Sequence, residues 1–181
     1  FQYDANGNTI GVVPPARPAY GFARNALNQL AAFTPPVIGD EPSTTRFSYD
    51  ADRALASVTR PDSQVISRDY DAAGRLSHLV LPTGQYTFSY GAGDRLATIA
   101  APDGGTLAYT WDGSLLTGMT WAGDVAGSVT RTYDNGFRMI GLALNGDPIA
   151  YAYDDDDFLV QAGDLVLTRD AQSALVTQAT L

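Results

Sequence analysis

The sequence has no cysteine, no lysine, one histidine and a single glutamate, Glu41. Without cysteine, neither disulfides nor cysteine-type zinc sites can form, and the redox compartment cannot be read from the chain. No run of about 18 apolar residues is present that would span a membrane as a helix. The scarcity of Glu and Lys removes two good helix formers: every other acid is Asp and every base is Arg. Asp bonds nearby backbone groups and so favours turns over helix interiors.

With 18 Gly and 10 Pro as punctuation, this composition predicts strands joined by many tight turns. A content of 45% hydrophobic and 17% charged residues is too apolar for a disordered chain. The net charge of −9 repels phosphate backbones and anionic lipid, which argues against nucleic acid or a membrane surface as partner. A chain of 181 residues suffices for one domain, and a globular domain of this size is expected to withdraw roughly 70% of its unfolded surface from water around a core.

An aromatic residue followed by Asp or Gly recurs at Tyr3-Asp4, Tyr20-Gly21, Tyr49-Asp50, Tyr70-Asp71, Tyr90-Gly91, Trp111-Asp112, Tyr133-Asp134 and Tyr153-Asp154, with a degenerate Arg169-Asp170 after them. From Tyr49 onward the spacings are 21, 20, 21, 22 and 20 residues. A weaker set of turn signals lies between them: Pro61-Asp62, Pro82-Thr83-Gly84, Pro102 to Gly105, Asn145-Gly146-Asp147 and Gly163-Asp164. Two turns per period leave two strands, hence one β-hairpin per repeat and roughly 16 strands in all. Large residues alternate with small or polar ones, as in Tyr86, Phe88 and Tyr90 or Leu107, Tyr109 and Trp111, so one face carries the bulk. The fold class is therefore all-β, an antiparallel hairpin array. A sheet of that many twisted strands is expected to coil into a curved or spiral wall.

Tyr70 to Leu76 is the clearest copy. Tyr70 should end a strand and pack across repeats, Asp71 should accept backbone N–H groups two or three residues on, and Gly74 should supply a positive φ. Arg75 should pair with an Asp and cover an aromatic ring, with Leu76 returning to the core. The structural anchors predicted on this pattern are Tyr3, Asp4, Tyr49, Asp50, Tyr70, Asp71, Gly74, Arg75, Leu76, Tyr90, Trp111, Asp112, Tyr133, Asp134, Tyr153 and Asp154. The whole of residues 1–181 reads as one array, interrupted by a Pro-rich insertion at about 34–45, where the interval from Tyr20 to Tyr49 stretches to 29 residues. Because the first residues already fall inside a repeat, the chain is expected to be a piece of something longer.

The Tyr-Asp-x-x-Gly-Arg-Leu motif at Tyr70 to Leu76, its looser copies at Tyr49 to Leu55 and Tyr153 to Leu159, and the period of about 21 resemble the YD repeat, or Rhs repeat, family. That resemblance implies a segment of a hollow, cocoon-like shell that in bacterial Rhs-type proteins encloses a C-terminal toxin. It implies as partners the neighbouring repeats of the parent chain and an enclosed toxin domain, and a secreted or cell-surface location. The repeat, together with the lack of a catalytic constellation, predicts a non-enzymatic structural module with no cofactor. The family's self-cleaving segment is marked by Asp-Pro-x-Gly; here Asp147-Pro148-Ile149-Ala150 lacks the Gly and falls in an inter-hairpin turn. A surface adhesion module that binds carbohydrate or protein, through exposed aromatics such as Trp121 or the 34–45 loop, is the alternative.

Four chemical constellations stand beside this reading. Asp154, Asp155, Asp156 and Asp157 are weak candidates for Ca²⁺, since an EF-hand would need Gly and Glu where Leu159 and Leu165 stand. His78 could serve a Ser/His/Asp triad, yet no Gly-x-Ser-x-Gly elbow exists. Carboxylate pairs of the glycosidase type carry no signal among so many Asp. Gly91 to Leu96 begins like a dinucleotide fingerprint but lacks the third Gly and leads into a strand.

Overall fold

The computed structural model describes residues 1–36 and 43–181. Among them are eighteen strands and a single short 3-10 turn, Ala92–Asp94. The chain divides into two compact units, Phe1–Phe88 and Ser89–Leu181. The first holds β1 (Gln2–Tyr3), β2 (Thr9–Val12), β3 (Tyr20–Arg24), β4 (Leu30–Thr34), β5 (Thr45–Tyr49), β6 (Leu55–Thr59), β7 (Val65–Tyr70), β8 (Leu76–Leu81) and most of β9 (Gly84–Tyr90). The second holds β10 (Leu96–Ala100), β11 (Thr106–Asp112), β12 (Leu115–Ala122), β13 (Gly127–Tyr133), β14 (Met139–Leu144), β15 (Asp147–Tyr153), β16 (Leu159–Ala162), β17 (Leu165–Arg169) and β18 (Val176–Thr180).

Within each unit every strand pairs antiparallel with the next in sequence, as alternating turn signals require of hairpins added side by side. The strands number two more than the expected sixteen or so, because the degenerate Arg169-Asp170 closes a full hairpin of β17 and β18. The predicted insertion at 34–45 separates β4 from β5; its central residues 37–42 lie outside the described residues. At its base Thr34 and Thr44 share a hydroxyl hydrogen bond of 3.0 Å.

Residues directly opposite one another share a face. In the first unit one face thus carries Phe22 opposite Phe33, Phe47 opposite Val58 and Arg68 opposite Leu79, and the other Ala23 opposite Ala32 and Ser48 opposite Ser57. In the second unit one face carries Tyr109 opposite Met119 and Arg131 opposite Leu142, and the other Thr110 opposite Gly118 and Thr132 opposite Gly141. Hydroxyl pairs tie the small-residue face of each, with 2.6 Å between Ser48 and Ser57 in the first and 2.5 Å between Ser89 and Thr98 in the second.

The expected core is absent. Among the described residues no hydrophobic side chain is fully buried. The solvent-accessible surface is 12072 Å², whereas a compact protein of about 19 kDa exposes about 8,400 Å² and two separate globules of half that mass about 10,200 Å² together. Period-two patterning marks a bulky face but does not say that anything covers it. Here most of the bulky strand side chains, Leu76 among them, are half-buried, and Tyr20, Trp111 and Ile149 are exposed.

The hairpin turns at the Asp end share one backbone form. The fourth turn residue has a positive φ at Gly7 (79°), Asn28 (62°), Arg53 (69°), Gly74 (76°), Phe137 (65°) and Asp157 (66°). Left-handed backbone is disfavoured by roughly 1–2 kcal/mol for residues with a Cβ, least for Asn and Asp. Phe137→Gly is therefore expected to stabilise the protein by about 1 kcal/mol, and Gly74→Val to destabilise it by at least as much, as measured by urea unfolding.

Candidate functional site

The recurrent site is the Asp turn together with the aromatic residue that precedes it. At Asp71 the backbone closes twice, from Gly74 N to Asp71 O at 2.9 Å and from Asp71 N to Arg75 O at 2.8 Å. The carboxylate then reaches over the turn, with Oδ1 accepting the N–H groups of Ala73 at 2.9 Å and Arg75 at 3.0 Å. Oδ2 accepts Arg75 Nε at 2.8 Å and Nη2 at 2.7 Å. Asp134 repeats the arrangement with Gly136, Arg138 and the Arg138 guanidinium. Asp4 and Asp154 repeat the backbone part, and Asp50 accepts from Ala54 N. The acceptor pattern is thus two and four residues on, where two or three were expected. The third N–H is already used by the main-chain carbonyl, and only Asp170, in a turn one residue longer, bonds Gln172 and Ser173.

One anchor lies elsewhere than the sequence pattern places it. Tyr20 starts β3 opposite Val12, and the turn of that hairpin belongs to Arg24-Asn25. Asn25 Oδ1 accepts Leu27 N at 2.9 Å and Gln29 N at 3.0 Å, the same task performed by an amide oxygen. The legible signal was Asn28, an αL-tolerant residue three positions on. Measured between turn residues, the interval across the insertion is 25 positions, from Asn25 to Asp50. Asp112 departs in the opposite sense: it lies within β11 opposite Leu115, and Gly113-Ser114 makes a two-residue turn. Likewise Asp147 and Pro148 open β15 after an Asn145-Gly146 turn, with φ of 52° and 95°, the pair favoured in tight hairpins.

The aromatic residue links one hairpin to the one before it. Tyr49 OH donates to Leu30 O at 2.9 Å, Tyr70 OH to Leu55 O at 3.0 Å, Tyr133 OH to Leu116 O at 3.0 Å and Tyr153 OH to Met139 O at 2.9 Å. Trp111 Nε1 does the same to Leu96 O at 2.9 Å. Leu30, Leu55, Leu116, Met139 and their counterparts stand at register shifts, where the ladder skips a residue. The ladder to the next hairpin stops short of Leu55 and Leu116, at Ser57 opposite Ser67 and Gly118 opposite Thr130, and the incoming hydroxyl bonds the carbonyl beyond it. At the degenerate repeat the Arg169 guanidinium stands in for the phenol, donating to Leu159 O at 3.1 Å through Nη2 and to Ala174 O at 2.9 Å.

Cations reinforce the link. Arg138 pairs with Asp134 of its own turn and Asp157 of the next, and its guanidinium lies 5.2 Å from the centre of the Tyr153 ring. Arg95 covers Trp111 at 5.9 Å and Arg169 covers Phe158 at 5.2 Å. The Arg75 and Arg138 hydrogen bonds, then the turn N–H groups, hold the Asp71 and Asp134 carboxyls below the usual range. Asp4 is lowered chiefly by Asn8, and Asp170 by Ser173.

The weighed constellations are taken up by these contacts. Asp154 Oδ1 faces its own turn and Asp157 pairs with Arg138, so the four carboxylates of 154–157 do not converge. Among the described residues no three His, Cys, Asp or Glu side chains gather at metal-binding distance. Ser77 Oγ and Asp69 Oδ2 both approach the same ring nitrogen of His78, Nδ1, at 3.2 and 3.9 Å. A proton relay needs them on opposite nitrogens. Gly91 to Arg95 is a hairpin turn, closed by Gly91 N to Arg95 O at 2.8 Å. The Trp121 ring lies against the backbone of Gly127 opposite, where any larger residue would collide with it.

Two outcomes follow. Tyr70→Phe and Tyr133→Phe should each cost about 1 kcal/mol in urea unfolding, additively because the two bonds share no partner and belong to different units. The lowered Asp carboxyls contribute stability that is present above the unfolded carboxylate pKa and is lost as pH falls through the folded one. The unfolding midpoint should therefore drop below about pH 4, and less steeply in Asp71→Asn and Asp134→Asn.

The same unit is found in known proteins. The sequence model of the family Teneurin YD-shell matches residues 1–179. No curated protein matches the chain. Among solved structures, the pore state of the Photorhabdus luminescens Tc holotoxin with a mutated TccC3 is similar at a TM-score of 0.67 and 14% identity, over 95% of this chain and 11% of that one. The TcdB2-TccC3-Cdc42 crystal structure is similar at a TM-score of 0.58 and 16% identity, over 88% of this chain and 9% of that one. The chain spans about a tenth of the length of these two solved chains. With an aromatic-Asp hairpin recurring along the matched range, and links to the preceding hairpin at Tyr49, Tyr70, Trp111, Tyr133, Tyr153 and Arg169, the chain belongs to the Teneurin YD-shell family.

Proposed function

We propose that this chain is a non-enzymatic wall module of a cocoon-like shell that encloses a C-terminal toxin in a secreted or surface-located bacterial Rhs-type protein. The observation that carries this reading is the link from Tyr49, Tyr70, Trp111, Tyr133, Tyr153 and Arg169 to a carbonyl of the preceding hairpin. Interactions of this kind add stability sideways, one repeat to the next, and leave both sheet faces free to act as the two sides of a wall. Residues 1–181 then serve as one array. Tyr3, Asp4, Tyr49, Asp50, Tyr70, Asp71, Gly74, Arg75, Leu76, Tyr90, Trp111, Tyr133, Asp134, Tyr153 and Asp154 act as structural anchors, and neighbouring repeats and the enclosed domain are the partners. The Tc toxin structures, which share this hairpin fold, support the analogy. Carbohydrate binding through Trp121 would have to compete with its contact to Gly127.

The test is made on the native protein. Intact mass and limited proteolysis should reveal a chain several times longer than 181 residues, with a downstream domain that resists cleavage until the shell is denatured. A native chain ending at Leu181, or a downstream domain digested as fast as a free one, would overturn encapsulation.

A further inference from the structure

The link from anchor to carbonyl has one form wherever it occurs, so it does not distinguish one neighbouring hairpin from another. Side chains at the turns do differ from repeat to repeat, and they are matched in pairs. One member of each pair closes an Asp or Asn turn: the carbonyls of Asn8, Gln29, Ala54, Arg138 and Phe158 accept the N–H groups of Asp4, Asn25, Asp50, Asp134 and Asp154. The other member is the left-handed residue of the next such turn, respectively Asn28, Arg53, Gly74, Asp157 and Ala174, with φ of 62°, 69°, 76°, 66° and 57°.

The chemistry of each pair agrees. Asn8 Nδ2 donates to Asn28 Oδ1 at 3.3 Å, where Asn6 Nδ2 also donates at the same distance. Gln29 Nε2 donates to the Arg53 carbonyl at 3.1 Å. The Arg138 guanidinium pairs with the Asp157 carboxylate. Ala54 and Gly74, neither with a polar side-chain atom, line one cleft. Phe158 is covered by Arg169, which also donates to the Ala174 carbonyl at 2.9 Å. In none of these pairs do like charges meet.

We propose that the closing residue of each Asp or Asn turn and the left-handed residue of the following turn form a recognition pair, by which a hairpin selects the neighbour that docks against it. The partner this surface fits is an adjacent repeat whose turn carries the complementary group: an amide or carbonyl acceptor for Asn8 and Gln29, a carboxylate for Arg138. Hairpins this alike have many wrong ways to dock, and polar groups satisfied by one neighbour alone oppose the others. Each pair lies within one unit, so the inference does not depend on the shell reading.

Moving a pair to another seam tests this. Ala54 and Gly74 are the counterparts of Arg138 and Asp157, in turns closed by the same backbone bonds. Gly74→Asp alone should lower the urea midpoint of the 181-residue chain, since it places a Cβ in left-handed backbone. Ala54→Arg with Gly74→Asp should unfold at a higher midpoint than the two single variants predict by addition, and the excess should shrink as salt rises from about 0.01 to about 1 M. Ala54→Arg with Asn28→Asp, where the carboxylate stands on the preceding turn, should show no excess. Circular dichroism without urea checks that each variant keeps its strands. Should Gly74→Asp unfold the chain, the native pair decides: Arg138→Gln and Asp157→Asn together should cost less than the sum of their separate losses, the Arg138 bond to Asp134 being lost in both backgrounds and so cancelling. Strict additivity in the cycle that decides, or an equal excess with Asn28→Asp, would overturn the proposal.

Discussion

The hydrogen bond from Tyr49, Tyr70, Trp111, Tyr133 and Tyr153 to a main-chain carbonyl of the preceding hairpin is the interaction on which the other features depend. It exists because the ladder between hairpins stops short of the turn, at Ser57 opposite Ser67 and at Gly118 opposite Thr130, and because a phenol or indole one hairpin further on is long enough to reach the carbonyl beyond, of Leu55 or Leu116. A buried core would make such a bond a minor addition. Here no hydrophobic side chain is fully buried among the described residues, so a donor that satisfies an otherwise orphaned carbonyl carries weight out of proportion to its number.

The Asp turn accompanies the bond in most hairpins, an ionised carboxylate there accepting two backbone N–H groups. The Gly113-Ser114 turn, with Asp112 in the strand, has the same register shift and the same link to Leu116. Arg75 and Arg138 bind the same carboxylates, and Arg138 carries the contact on to the next turn. The acidic composition thus has a structural component beside its effect on solubility. It also exposes the fold to acid, since a protonated Asp accepts these bonds less well.

Much of this was legible in the sequence because turn chemistry is local. Asp71, Gly74 and Arg75 announce their roles through identity and spacing alone, and the same letters recur often enough to predict hairpins. Legibility failed where one chemistry is written in different letters, or the reverse. Asn25 caps a turn as Asp does, and Arg169 reaches a carbonyl as Tyr does, yet neither fits the aromatic-Asp spelling. Asp112 fits the spelling and sits in a strand, because Gly113-Ser114 shortens its turn. The candidate triad at His78 could be judged only from coordinates, since which ring nitrogen faces which oxygen leaves no trace in sequence.

The amino-acid sequence by itself determined the all-β class, the hairpin repeat, the Asp turns at Asp4, Asp50, Asp71, Asp134 and Asp154, and the alternation of large and small residues along the strands, for these follow from backbone preferences and period-two alternation within a few residues. Only the tertiary structure decided that no hydrophobic side chain is fully buried among the described residues, and that Tyr49, Tyr70, Trp111, Tyr133 and Tyr153 spend their polar atoms on the preceding hairpin. Those outcomes depend on which hairpins lie side by side and with what register, and lateral register is a property of the assembled sheet rather than of any one repeat.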